Sequence, residues 1–243
     1  NEISGMTLGI FLSNWINKLK KKRYSYRIIF IPETIGSIMY INKNLKKLKN
    51  NMDAGFNITC VGDEKNYSYL PSKYGNTLSD KVILHVLKYS VKKFNKFKWT
   101  DRGGDERQYC SAGVDLPVAT LMRSKYGLYK EYHTSLDKLG TVVTAKGLGQ
   151  SFDAYKKIIE ALENNYKLKF KLRCEPFLSK RNIYPTMYDA PNSERMITSD
   201  MLRHILSYAD GNNDLIDIAN LIDCPIWKLY PYVNVLKKNK LIK

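Results

Sequence analysis

Short apolar runs alternate with amphipathic helical segments over the first 180 residues. The uninterrupted runs at 26–31, 56–61 and 116–122 each predict a strand that is buried on both faces. Apolar residues recur at helical spacing in four other segments, namely 6–19, 38–48, 78–94 and 152–166. This alternation predicts an α/β domain of three layers, α/β/α, with a mostly parallel central sheet.

The composition of the chain changes near Pro176. The stretch from there to Pro191 is rich in Pro, Tyr, Asn and Ser and lacks periodicity, so we expect a linker or a draped loop. Three short helical segments follow, beginning near Ser199, Asn213 and Pro225, and Leu241-Ile242 is a candidate terminal strand. Three helices and a strand in this space predict a winged-helix domain. The predicted domains are therefore residues 1–180 and 181–243.

Composition narrows the class of protein. The chain has 40 Lys and Arg against 23 Asp and Glu, a net charge of +17, and 44% of its residues are hydrophobic, which excludes a disordered chain. No apolar run approaches the roughly 20 residues that cross a bilayer, and no secretory signal is visible, so we expect a cytoplasmic protein without a membrane partner. The four cysteines lack close pairing, which predicts free thiols. The positive charge favours acidic partners.

Polar residues follow the predicted strands, at the edge where open α/β sheets build their sites. Glu33 follows the first strand and Asp63 the second, whereas three charged residues precede the third in a glycine-containing loop. These three are Asp105, Glu106 and Arg107, and a later segment carries Glu131, His133 and Asp137. Carboxylates with a histidine are a ligand set of hydrolytic zinc sites. A helix cap or a turn is the alternative reading of each single carboxylate.

Several motifs together resemble a bacterial aminopeptidase-like family. They are Asn1-Glu-Ile-Ser-Gly5, Ile31-Pro-Glu-Thr-Ile-Gly-Ser37, Cys60-Val-Gly-Asp63, Asp105-Glu-Arg-Gln-Tyr-Cys-Ser111 and Glu131-Tyr-His-Thr-Ser-Leu-Asp137. The family is similar to the co-catalytic zinc aminopeptidases, and the resemblance covers essentially the whole chain. It implies a zinc-peptidase-like α/β/α domain, a C-terminal winged helix, and hydrolysis of an amide bond in a peptide or small amide substrate.

The resemblance also implies residue roles. His133, Asp63 and Asn1 correspond to metal-binding positions, and Glu33 corresponds to the general base. Substrate binding is implied for the loop with Asp105, Glu106 and Arg107, and Tyr109 is a further candidate for which plain packing is equally expected. We expect one zinc ion rather than two, with another histidine ligand of the family upstream of Asn1.

Two other classes of function stay open at this point. The winged helix allows a nucleic-acid-binding protein, since its third helix carries Lys228, Lys237 and Lys238. The apolar and aromatic residues of that helix favour docking against the first domain or a second copy of the chain instead, so a homo-oligomer is a candidate assembly. The third class is an inactive scaffold that retains the peptidase fold without its metal.

Overall fold

The computed structural model describes residues 1, 3–186 and 193–243, which divide into two compact units. The first unit is Asn1–Glu160 and the second is Ala161–Lys243. The sequence pattern predicts the domain boundary at residue 180 instead. Residues Lys167–Lys169 form a strand that pairs with Asp210–Asp214, and this pairing accounts for the assignment of the segment after 160 to the second unit.

The first unit is built on a four-stranded mixed sheet. Its elements are α1 (Ser4–Asn17), α2 (Ile35–Asn51), β1 (Gly55–Asn57), β2 (Ser68–Leu70), α3 (Leu78–Ser90), β3 (Asn95–Lys96), α4 (Glu106–Tyr109), β4 (Val118–Met122) and α5 (Ala145–Glu163), whose last three residues belong to the second unit. The strand order is β1-β4-β2-β3, in which β1 pairs with β4 and β2 with β3 in parallel, whereas β2 and β4 are antiparallel. The expectation of a parallel-rich sheet is confirmed, and the three-layer arrangement stays a prediction.

Strand β4 occupies an interior position of this sheet. All five of its residues are buried, as its continuous apolar run predicts. Val118 lies opposite Gly55 of β1, and Met122 lies opposite Ser68 of β2. The carboxyl ends of β1 and β4 therefore lie side by side and point the same way.

The predicted strand at 26–31 is wrong. These residues are assigned to no strand, and none of them is buried. The segment lies against α1, because a Cβ built on Gly9 would be 3.2 Å from the Phe30 ring and 3.6 Å from the Ile28 side chain. Side chains of this run pack on α1, and its backbone pairs with no strand of the described residues. The strand prediction is wrong because packing against a helix needs no strand pairing.

Helix α1 packs closely against the chain that follows β1. Leu8, Leu12 and Ile16 form its buried stripe at helical spacing. A Cβ built on Gly5 would lie 2.0 Å from the carbonyl oxygen of Ile58, so only glycine permits this approach. The contact places the start of the helix, and with it Asn1, next to the residues that follow β1.

The described residues of the second unit form a two-stranded antiparallel sheet and three further α-helices. Its elements are β5 (Lys167–Lys169), α6 (Glu194–Tyr208), β6 (Asp210–Asp214), α7 (Leu215–Leu221) and α8 (Ile226–Lys238). Ile242 forms an antiparallel bridge with Phe170, which corresponds to the candidate terminal strand. The three predicted helices are confirmed, and strand β6 lies between the first two of them. Residues 187–192 of the predicted linker lie outside the described residues.

In the described part of the chain, every helix is too short or too polar to pass through a bilayer.

Candidate functional site

Asp63 lies at the carboxyl edge of β1 and β4 and is almost completely buried, with 4% of its surface exposed. One carboxylate oxygen accepts from the Lys65 amide at 2.9 Å and the Ser124 hydroxyl at 3.1 Å. The other accepts from the Ser124 amide at 3.0 Å and from Nδ2 of Asn1 at 3.2 Å. The predicted pair of Asn1 and Asp63 is thus brought into direct contact, and Ser124 completes the cluster.

Asn1 links Asp63 to a second buried carboxylate. Its Oδ1 accepts from the Gly62 amide at 2.9 Å, and its backbone nitrogen donates to the carboxylate of Asp137. The Tyr129 hydroxyl donates to the other oxygen of Asp137 at 2.6 Å, and burial together with this bond raises the pKa of Tyr129. Asp137 is the last residue of one of the family motifs, but the sequence assigns it no role.

His133 occupies the exposed surface of the loop that leads to Asp137. Its backbone has a positive φ of 58°, and its ring stacks on Tyr132 with the centroids 3.8 Å apart and the planes at 19°. Residues 1, 3–186 and 193–243 contain no group of three or more His, Cys, Asp and Glu side chains placed to hold a metal ion. The contact between Asn1 and Asp63 is therefore not accompanied by a ligand cluster of that kind.

The donor chemistry of this cluster gives a direct test of the expected zinc ion. A carboxylate offers about four lone-pair directions, and Asp63 accepts four hydrogen bonds. A zinc ion needs a free lone pair at about 2.0–2.2 Å from each ligand oxygen. As arranged, Asn1, Asp63 and His133 do not fit a zinc ion, so no chemical step is derived through one.

Glu33 is exposed and lies on a loop with an unusual backbone. The next residue, Thr34, has φ 63° and ψ −71°, which is a strained conformation for a β-branched residue. Two contacts hold it there: its amide donates to Asp105 at 2.8 Å, and its hydroxyl accepts from the Arg107 guanidinium at 2.8 Å. The structure therefore brings Glu33, Asp105 and Arg107 to one place through Thr34.

Glu106 is fully buried, with 0% of its surface exposed, although the adjacent Arg107 is exposed and Asp105 is half-buried. Its donors are the amides of Gly103 and Gly104, the Tyr126 hydroxyl, the Asn57 side-chain amide and the Thr120 hydroxyl. Burial works against ionisation of Glu106, but these bonds outweigh it and hold its pKa below the ordinary value of 4.5. Glu106 positions the loop, and its burial leaves no surface for the predicted substrate contact.

Tyr109 is half-buried and packs against a cluster of apolar residues that contains Cys110, Leu116 and Val118. Burial raises the pKa of its hydroxyl. This environment corresponds to the packing alternative for Tyr109, and its predicted role in substrate binding stays a prediction.

Both clusters follow strand β1. Asn57, the last residue of β1, bonds to Glu106 at 2.7 Å, and Glu106 adjoins the Asp105 that holds Thr34. Asp63 follows Asn57 by six residues. This edge of the sheet thus carries two kinds of carboxylate. Those of Asp63 and Glu106 are buried and accept several hydrogen bonds, whereas that of Glu33 is exposed.

Comparison with known proteins shows that the chain is similar to peptidase-like proteins. The chain aligns over its whole length with the crystal structure of a provisionally assigned peptidase from Clostridium acetobutylicum, with a TM-score of 0.87, 34% identity and 53% of that chain covered. A protein of the same organism, provisionally assigned to polysaccharide biosynthesis and named for an aminopeptidase-like domain, is 39% identical over 220 residues. That alignment covers 90% of this chain and 49% of the relative, so the chain spans about half the length of its relatives.

Family models give the more particular assignment. The model described as a domain of unknown function, DUF4910, matches residues 1–165, and a winged helix-turn-helix model matches residues 166–243. The chain therefore belongs to the DUF4910 family and carries a winged helix-turn-helix domain. The resemblance to aminopeptidase-like proteins with a winged helix agrees with these matches.

Proposed function

We propose that the first unit acts in hydrolysis of an amide bond, in the manner of an aminopeptidase, with Glu33 as the general base. The observation that carries the proposal is the placement of Glu33, an exposed carboxylate on a strained loop at the carboxyl edge of the sheet. Backbone strain of this kind concentrates at functional sites. The similarity to peptidase-like proteins over the whole chain supports the reaction class.

The choice of Glu33 as the base rests on its contrast with the other acidic residues of the edge. A general base needs a lone pair that reaches the proton it removes. Asp63 accepts four hydrogen bonds and Glu106 five, and the carboxylate of Asp137 is held by Tyr129 and Asn1. The Glu33 side chain differs from them in being exposed, where a substrate and its attacking water can reach it, so in this proposal it takes the proton of that water.

Arg107 is the second exposed charged residue that adjoins Thr34. Its guanidinium donates to Thr34, which fixes it beside Glu33 with other N–H groups facing solvent. Arginine offers five donors in a rigid fork, which suits a carbonyl or carboxylate oxygen of the substrate. We assign Arg107 to substrate orientation, with Asp105 holding the backbone of Thr34 as a positioning residue.

The one expected zinc ion stays a prediction, and none of the steps above uses it. The relatives are about twice as long as this chain, so we propose that residues beyond those described complete the site in the longer proteins. Metal analysis of the full-length protein after purification measures whether zinc accompanies it in a stoichiometric amount.

Hydrolysis of a panel of amides tests the proposal. The full-length protein is assayed with aminoacyl anilides, dipeptides and an aminoacylated amino sugar, the last chosen because a relative is named for polysaccharide biosynthesis. We expect Glu33→Gln to lower kcat by about 10²–10⁴-fold, which is the usual contribution of general base catalysis. Glu160→Gln, at an exposed glutamate of α5, is the matched control and keeps full activity.

Each assay is run as purified, after chelation, and after zinc is restored. Activity that chelation removes and zinc restores supports the zinc prediction, whereas activity that resists chelation supports a metal-independent reaction. The proposal is contradicted if the wild-type protein cleaves no amide under any of these conditions, or if Glu33→Gln retains wild-type kcat.

A further inference from the structure

A cavity of about 470 Å³ lies beside the Asp63 cluster within the first unit. Its walls come from β2 and the chain before it, from β3 and the residue after it, and from the loop after β4. This volume is within the usual range for small-molecule sites, roughly 300–1,000 Å³. We refer to it as the Lys65/Lys125 pocket after its two charged wall residues.

The wall of this pocket is cationic and has no acidic member. Lys65 and Lys125 both line it, and neither ammonium group has a carboxylate within 4 Å among the described residues. Lys125 is half-buried, and its Nζ lies 4.3 Å from the ring centroid of Tyr126 and 5.6 Å from that of Phe97. A partly desolvated cation without a counter-ion favours an anionic ligand.

A third cation stands behind the wall. Arg123 is only 4% exposed and stacks over the ring of Tyr67, with its Cζ 4.2 Å from the ring centroid. It also has no carboxylate within ion-pair distance in the described part of the chain. Because Arg123 directly precedes the wall residues Ser124 and Lys125, its buried charge adds to the positive potential of the pocket.

The uncharged part of the wall suits a hydroxyl-bearing ligand. Asn66 and Asn95 supply amide groups to it, and Ser68 is a further polar wall residue. Phe97 and Tyr129 supply ring surface, against which the apolar face of a sugar ring can pack. An apolar peptide side chain would use only this ring surface.

The pocket shares two wall residues with the candidate site. Ser124 holds Asp63 through its amide and hydroxyl, and Tyr129 holds Asp137 through its hydroxyl. A ligand seated in the pocket therefore contacts the same residues that organise the carboxyl edge of the sheet.

We propose that the Lys65/Lys125 pocket binds the anionic group, carboxylate or phosphate, of a small hydroxyl-bearing molecule. This inference rests on the proposed function only in making that molecule the substrate of the amide hydrolase, with its acidic group anchored in the pocket. The ammonium groups bind the anion, and the asparagine and serine side chains bind neighbouring hydroxyls.

Calorimetric titration of the full-length protein with three probes tests the binding. Glucuronate carries a carboxylate, glucose 1-phosphate carries a phosphate, and glucose carries neither. We expect at least one acidic probe to bind at least tenfold more tightly than glucose, with an affinity that falls as salt is added. The acidic probe that binds more tightly identifies the preferred group.

Substitutions at the wall assign the binding to this pocket. Lys125→Gln and Lys65→Gln are each expected to raise the Kd of the acidic probe about tenfold, whereas Lys130→Gln, at an exposed lysine outside the wall, leaves it unchanged. Equal binding of glucose, absence of binding by both acidic probes, or an unchanged Kd in Lys125→Gln would overturn the proposal.

The two proposals fail separately. None of the probes contains an amide bond, so their binding needs no hydrolysis and survives failure of the proposed function. If the protein hydrolyses amides, Lys125→Gln is expected to raise KM for an acidic substrate about tenfold with kcat unchanged, whereas Glu33→Gln lowers kcat. Hydrolysis that depends on Glu33 but is indifferent to Lys125 for every acidic substrate overturns only the pocket.

Discussion

Replacement of Glu106 by glutamine is the sharpest perturbation of the loop that supports the candidate site. The carboxylate is fully buried and accepts five hydrogen bonds, three on one oxygen and two on the other. Glutamine has nearly the same shape, so the substitution removes the charge and one acceptor without opening a cavity. We expect it to destabilise the first unit.

The magnitude follows from those bonds. If the glutamine oxygen replaces Oε1, it keeps the three bonds from Gly103, Gly104 and Tyr126, but each loses its charge assistance, worth about 1 kcal/mol. Asn57 and Thr120 then face an NH₂ group, and both can turn to accept from it. The smaller desolvation cost of a neutral amide offsets about 1 kcal/mol of the loss. The expected net loss is therefore about 2 kcal/mol.

The loss depends on pH with a definite sign. Because the pKa of Glu106 is lower in the folded protein than its ordinary value of 4.5, the carboxylate stabilises the fold fully above pH 4.5. That contribution is lost as the pH falls through the folded-state pKa. The difference between wild type and Glu106→Gln is thus expected to be largest near pH 7 and to shrink below pH 4.5.

Urea unfolding at several pH values measures this difference. Circular dichroism and tryptophan fluorescence are followed together, because Trp99 packs against apolar clusters of the first unit. Asp53→Asn is the control, since Asp53 is an exposed carboxylate of the same unit, and we expect it to leave the unfolding midpoint unchanged. A loss below about 0.5 kcal/mol in Glu106→Gln, or a difference that does not depend on pH, would refute the reasoning.

Two further predictions concern packing and thiol chemistry. Gly5→Ala is expected to destabilise the first unit by about 2 kcal/mol or more, because its Cβ would overlap the carbonyl of Ile58. Gly149→Ala is the control, since no atom lies within 4 Å of its Cβ, and we expect it to stabilise α5 by up to about 1 kcal/mol. Thermal melts of both variants measure the difference, and equal effects would contradict the close approach of Gly5 to Ile58. All four cysteines are free, and only Cys174 is exposed. We therefore expect a thiol reagent to modify one cysteine quickly in the folded protein and all four after unfolding. Rapid modification of four cysteines in the folded protein would contradict the burial of the other three.

Much of the first unit is predictable because its strongest patterns are local. Strand β4 is a continuous apolar run that is buried on both faces, and α3 shows helical spacing that starts at a cap formed by Thr77. Strand β6 reads Asp-Gly-Asn-Asn-Asp, a sequence typical of a turn, and forms only because β5 pairs with it. The segment at 26–31 fails in the opposite direction, since its apolar residues pack on α1 instead of on a strand.

The candidate site is predictable in position more than in role. Polar residues after β1 and β4 do meet at one sheet edge, as the contact of Asp63 with Ser124 demonstrates. The resemblance implies one role for Asp105 and Glu106, but successive residues at the start of a helix point about 100° apart. Glu106 consequently enters the core, whereas Asp105 reaches the backbone of Thr34. Adjacency in the sequence alone does not show which of the two side chains enters the core.

The hydrogen bonding and the exposure of the acidic residues distinguish those that support the structure of the sheet edge from the one that can take part in catalysis. A carboxylate that accepts four or five bonds from its own protein is fixed in place and has no lone pair for a substrate proton. Asp63 and Glu106 are of this kind, so they hold the geometry of the edge. The carboxylate of Glu33 is exposed to solvent, and the hydrogen bonds of Thr34 with Asp105 and Arg107 hold the adjoining backbone in place. Chemistry at this edge should therefore respond to substitution of Glu33 through kcat, and to substitution of the buried acids through stability.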